Sequence, residues 1–186
     1  MTNEINKCIE VLSGGGLILY PTDTVWGIGC DATDPEAVDK IYKLKQRANT
    51  KTMICLVAND FMLEKHVAHV PDVAYDIMDI STKPTTIVYD KPLSIAKNLI
   101  ATDDTLAIRV PNYKFCQYLI NKFKKPIVST SANIAGKPTP KSFKEIDRAI
   151  LKGVDYVVNL DRDKKHGTPS AIIKLSTDGV VKVIRE

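Results

Sequence analysis

The chain has 186 residues, with 26 Lys+Arg against 22 Asp+Glu and a net charge of +4. Apolar residues at 44% and charged residues at 26% are globular proportions, which argue against disorder and fibrous repeats. No apolar stretch reaches the ~18 residues of a membrane-spanning helix and no signal-peptide pattern opens the chain, so one cytoplasmic domain, 1–186, is expected.

Helical and strand patterns alternate from the start. Ile5, Ile9 and Leu12 recur at helical spacing before the stop Gly14-Gly15-Gly16, and residues 17–20 form a short apolar strand ended by Pro21. Asp34-Pro35 supplies a cap and a first-turn proline for a helix with Ala37, Ile41 and Leu44 on its buried stripe. Residues 53–57 then read as a buried strand, with helices beginning at Asn59 or Asp60 and at Pro71. Strands at 85–89 and 106–110 precede a helix carrying Phe115, Leu119 and Ile120. Residues 127–129 form a strand running into a small-residue loop, and Phe143, Ile146 and Ile150 mark one further helix. Strands at 156–158 and 171–175 follow, the latter joined through Thr177-Asp178-Gly179 to 180–184 as a hairpin. Two consecutive strands at the end break strict alternation and predict a mixed sheet in an α/β fold.

Several familiar chemistries have no support in this pattern. Cys8, Cys30, Cys55 and Cys116 are scattered without a CxxC, as reduced thiols rather than a disulfide or zinc framework. His66 and His69 lie on a helix without companion ligands, so no metal site is assigned. The triple glycine follows a helix and precedes a strand, the reverse of a phosphate loop, and no GxSxG elbow occurs.

What remains is a set of strand-end loops rich in hydroxyls, with isolated cations nearby. They are Pro21-Thr22-Asp23-Thr24, Lys45-Gln46-Arg47 with Lys51, Ile108-Arg109-Val110, Ser129-Thr130-Ser131-Ala132-Asn133 through Thr139, and Gly167-Thr168-Pro169-Ser170. Arginine offers a planar fork and lysine a point charge, a pairing suited to carboxylates and polyphosphates. An arginine inside an otherwise apolar strand must sit at an edge, be paired, or point into a site.

In order and spacing these segments resemble the threonylcarbamoyl-AMP synthase family, the YrdC-like domain. The matching pieces run from Pro21-Thr22-Asp23-Thr24-Val25-Trp26-Gly27-Ile28-Gly29-Cys30 through Lys45-Gln46-Arg47, Leu106-Ala107-Ile108-Arg109-Val110 and Pro126-Ile127-Val128-Ser129-Thr130-Ser131-Ala132-Asn133 to Pro169-Ser170-Ala171-Ile172. Ala48, Leu56 and Lys83-Pro84-Thr85-Thr86 depart from the family pattern. The resemblance implies a twisted mixed parallel and antiparallel sheet flanked by helices, with a concave basic cavity. It implies synthesis of threonylcarbamoyl-AMP and pyrophosphate from L-threonine, bicarbonate and ATP, with Mg²⁺ on the phosphates. The product would pass to a downstream threonylcarbamoyl-transferase complex that modifies tRNA beside the anticodon.

By matching position, the resemblance implies that Thr24, Arg109, Ser131 and Ser170 hold threonine. Arg47, Lys51, Thr105, Ser129, Asn133, Thr139 and Arg185 would contact ATP, and Lys45 and Arg47 of the KxR signature would act at the reacting groups. The chemistry of the list agrees, because a carbamate attacking phosphorus needs positioned reactants and neutralised charge rather than a side-chain nucleophile. A second reading stays open: a non-catalytic relative binding tRNA or double-stranded RNA through Lys122, Lys124, Lys125, Lys137, Lys141 and Lys144.

Overall fold

The computed structural model describes residues 1–46, 53–165 and 167–186. Its centre is a nine-stranded sheet in the order β7-β1-β2-β6-β3-β5-β4-β8-β9. The strands are β1 (Ile18–Tyr20), β2 (Gly27–Gly29), β3 (Ile54–Leu56), β4 (Thr85–Asp90), β5 (Thr105–Arg109), β6 (Ile127–Ser131), β7 (Tyr156–Val157), β8 (Ala171–Leu175) and β9 (Val181–Arg185). The helices are α1 (Thr2–Ser13), α2 (Pro35–Lys45), α3 (Asp60–His66), α4 (Asp72–Ile80), α5 (Lys114–Phe123) and α6 (Arg148–Gly153). The pairs β1–β7, β3–β5 and β4–β8 are parallel and the other pairs antiparallel, so the sheet is mixed.

Both faces of the central strands are covered, which explains apolar runs such as residues 17–20, whereas β9 at the edge is exposed along its length. Leu17 and Leu19 join Cys55, Val128 and the stripe Ala37, Val38 and Ile41 of α2 on one side. Their neighbours Ile18 and Tyr20 join Leu56, Ile127, Cys8 and Leu12 of α1, and Phe115 and Leu119 of α5, on the other. The period of two along each strand thus splits one apolar run between two cores. Asp34 caps α2 as expected, accepting from the backbone N–H of Glu36 and Ala37.

Three features differ from the sequence reading. The expected single helix around 143–150 is broken into a 3₁₀ turn, Phe143–Glu145, and α6. The Glu145 carboxylate turns back onto the Lys141 N–H and the Ser142 hydroxyl, while Asp147 accepts from Ala149 N–H to start a new helix. The second is β2, a Gly-Ile-Gly strand that no propensity argument would select. A Cβ at Gly29 would come within 2.7 Å of both the Tyr20 ring and the Val128 carbonyl, so close backbone approach is what requires glycine there. The third follows from the second: β6 continues to Ser131, because Gly27 and Ile28 pair with Ser131 and Thr130.

All four cysteines are free and buried. Burial pushes the Cys8 and Cys55 thiols up to about 12 and raises those of Cys30 and Cys116 as well. Because the folded state holds these protons more tightly than the unfolded chain, their stabilisation is complete below the usual thiol value of 9.0 and is lost as pH rises toward 12. The urea midpoint is therefore expected to fall between pH 8.5 and pH 10.5, and a thiol reagent at neutral pH to label all four cysteines only after denaturation.

Candidate functional site

Loop 21–26 leaves β1 and returns as β2, and Thr22 ties it together. The Thr22 hydroxyl donates to the Val25 carbonyl at 2.7 Å and accepts from the N–H groups of Thr24 and Val25. With its proton so placed, the 2.9 Å contact between the two hydroxyls runs from Thr24 to Thr22. Thr24 in turn accepts from Arg109 Nη1 at 3.3 Å.

Arg109 ends β5 at 4% exposure. Its guanidinium is held by Asp23 and Thr24. Nη2 faces Asp23 Oδ1 at 3.2 Å, Nη1 reaches Thr24, and among the described residues Nε has no hydrogen-bond partner. Asp23 is itself anchored, its Oδ2 accepting from Asn112 N–H at 3.0 Å. Arg109 thereby presents a buried cation at the wall of a cavity, a group suited to an anionic oxygen of a ligand.

That cavity has a volume of about 230 Å³ and gathers Thr24, Arg109, Ser129, Ser131, Thr139, Ser170 and Arg185 from five separate parts of the chain. Val25, Met53, Ile54, Pro169 and Ile172 supply its apolar wall. Gly27 forms another part, where a Cβ would sit 3.2 Å from Ser129 Oγ. Arg185 reaches back from β9 so that Nε and Nη2 donate to the Ser170 carbonyl at 3.1 and 2.6 Å. Behind Ser170, its hydroxyl lies 2.7 Å from that of Thr86. A larger cleft of about 460 Å³ opens on the far side of Asp23, but its wall of Asp60, Asp79, Lys83 and Gln117 lacks this convergence of buried hydroxyls and guanidinium groups.

Three residues of the expected set stand outside the cavity. Thr105 occupies the end of β5 away from Arg109, and its hydroxyl donates to Asp103, so the structure does not bring it to the other groups. Asn133 commits its side-chain amide to the Ile134 and Lys137 carbonyls, closing the turn around Gly136 (φ +81°) rather than facing the cavity. Lys45, only 1% exposed, donates from Nζ to the carbonyls of Ser131 and Asn133, the latter at 2.7 Å. Its ammonium thus braces the chain leaving β6 from beneath the cavity. Arg47 and Lys51 lie outside the described residues.

The family model covering Sua5, YciO and YrdC, described as telomere recombination, matches residues 10–186. The chain belongs to the Sua5–YciO–YrdC family. Threonylcarbamoyl-AMP synthase of Pseudoalteromonas translucida is 34% identical over 180 residues, which is 95% of this chain and 95% of that protein. The synthase of Cellvibrio japonicus is 32% identical over 180 residues, covering 96% and 94%. Among solved structures, E. coli YciO superposes with a TM-score of 0.86 at 25% identity, over 100% of this chain and 90% of YciO. P. abyssi Sua5, solved in complex with L-threonine, superposes with a TM-score of 0.82 at 27% identity. That match takes in 92% of this chain and 50% of Sua5, so the chain spans about half the Sua5 length.

In this Sua5–YciO–YrdC chain the cavity groups are held by supporting residues. The sequence reading did not single out Thr22, Asp23 or Thr86 individually, although each holds a cavity group. Asp23 carried a usable signal, since a buried strand arginine demands a nearby counter-charge. Thr86 carried none, because a threonine in a strand is ordinary.

Proposed function

We propose that the chain is a threonylcarbamoyl-AMP synthase, making threonylcarbamoyl-AMP and pyrophosphate from L-threonine, bicarbonate and ATP. The observation that carries the reading is Arg109, a buried guanidinium lining one cavity together with Thr24, Ser131 and Ser170. The synthase names of relatives matching nearly the whole chain support it.

In this reading Arg109 receives the threonine carboxylate, with Thr24, Ser131 and Ser170 around the remainder of the amino acid. The amine attacks the bicarbonate carbon, a C–N bond forms, and water leaves to give a carbamate. A carbamate oxygen then attacks the α-phosphorus as the bond to the β-phosphate oxygen breaks, releasing pyrophosphate. Ser129, Thr139 and Arg185 would line the nucleotide side, joined by Arg47 and Lys51. Lys45 acts by holding the Ser131–Asn133 backbone in place. Among the described residues no three His, Cys, Asp or Glu side chains converge on a metal position, so Mg²⁺ would ride on the triphosphate oxygens. The product would serve a downstream transferase complex acting on tRNA.

The test is pyrophosphate release by the purified protein with ATP, bicarbonate and threonine. Release is expected only when all three are present; equal release without threonine would overturn the reading. Tight tRNA binding with no pyrophosphate release would favour the RNA-binding alternative instead.

A further inference from the structure

We propose that Thr86 is a positioning residue that fixes the direction of the Ser170 hydroxyl proton and so makes Ser170 a dedicated donor to the amino-acid substrate. The inference rests on the reading above, in which Ser170 faces that substrate. Thr86 lies inside the sheet, with β4 flanked by β5 and β8, and is 0% exposed. Its Oγ1 is 2.7 Å from Ser170 Oγ, and among the described residues its side chain has no other hydrogen-bond partner.

Each of these hydroxyls owns one proton and can also accept. If Ser170 donated to Thr86, the Thr86 proton would be buried with no acceptor, an arrangement proteins avoid. The opposite direction satisfies both groups. Thr86 donates to Ser170, and the Ser170 proton is left for the cavity that Ser170 lines at 3% exposure. Arg185 holds the same residue through its carbonyl, so both the backbone and the hydroxyl of Ser170 are fixed before any ligand arrives.

The contrast with Thr24 sharpens the role. There the proton is already committed to Thr22, so Thr24 brings no free donor to the cavity. Ser170 does. A fixed donor at this wall selects an acceptor on the ligand, a carboxylate or hydroxyl oxygen of the amino acid, and disfavours an ammonium group.

The test uses Thr86→Val, Thr86→Ser, Ser170→Ala and the double variant Ser170→Ala/Thr86→Val. Thr86→Val is expected to raise the KM for threonine about 10-fold with kcat within about twofold, and Thr86→Ser to restore the wild-type KM. The double variant should match Ser170→Ala, because the two changes remove one interaction. A wild-type KM in Thr86→Val, or effects that multiply in the double variant, would overturn the proposal. A second readout needs no activity. Ser170→Ala strands the Thr86 proton, so adding Thr86→Val should raise the urea midpoint of that variant; a further fall would refute the relay. Absence of threonine-dependent pyrophosphate release from the wild type would instead refute the synthase reading, and the order of midpoints would still decide the relay.

Discussion

Replacing Arg109 with methionine is expected to abolish the site and to destabilise the fold at the same time, by separable causes. Arg109 and Asp23 form a pair whose side chains are 3% and 8% exposed. Removing one member of such a pair leaves a buried uncompensated charge, at a cost of ~3–5 kcal/mol. Arg109→Met should therefore lower the urea midpoint strongly. Adding Asp23→Asn removes the stranded carboxylate charge and should recover a large part of that loss. Activity should not return with it. With Arg109 in its proposed role at the threonine carboxylate, kcat/KM for threonine is expected to drop by roughly 10³ or more, in the double variant as in the single one. Recovery of both stability and turnover in the double variant would show that Arg109 is only structural. An undiminished urea midpoint in Arg109→Met would contradict the buried pair.

Trp26→Ala is the second large effect. Trp26 is 0% exposed and packs on Phe143, with ring centroids 4.9 Å apart at 54°. The Phe143 ring also carries the Arg162 guanidinium 4.7 Å from its centroid, and Arg162 donates to the Val157 and Val158 carbonyls. One indole therefore links the cavity loop to the 3₁₀ turn and to the chain after β7. Truncation to alanine should cost ~3–5 kcal/mol, a fall in Tm of roughly 6–20 °C for a domain of this size. Its main-chain carbonyl also accepts from Ala132 N–H, so relaxation around the hole should move the β6 end of the cavity and lower activity beyond the loss of folded protein. Circular dichroism melts and pyrophosphate release measured at a temperature where the variant stays folded would check both parts. A melt unchanged within 2 °C would contradict this packing.

How much of this was legible before any coordinates depends on the range over which each feature is encoded. Helix α2 announces itself within four residues, because an Asp cap, a proline and an apolar stripe act on their own turn of backbone. The hairpin of β8 and β9 is equally local, with Gly179 at φ +84° in the turn that Asp178-Gly179 suggests. The broken helix at 143–150 was misread because apolar spacing continues across it, while the interruption comes from two carboxylates, Glu145 and Asp147, that bond the backbone. Strand β2 was invisible for the opposite reason: nothing in Gly-Ile-Gly favours a strand until Tyr20 and Val128 press against it.

The candidate site divides along the same line. Residue types and their order along the chain were enough to point to an α/β mixed sheet, to the family resemblance and to a set of hydroxyls and arginines as the working groups, since such choices are written residue by residue. Which of those groups share one cavity was decided by packing. Arg109 and Thr105 lie on one strand, yet only Arg109 reaches the cavity, because the ends of a strand face different surroundings. Lys45 and Asn133 meet beneath it through backbone carbonyls, contacts that carry no side-chain signature. The directions of the hydroxyl protons at Thr24 and Ser170 depend on Thr22 and Thr86, and the second of these sits 84 residues from its partner. Such directions exist only once burial has removed water as a competing acceptor, and burial is a property of the folded chain as a whole.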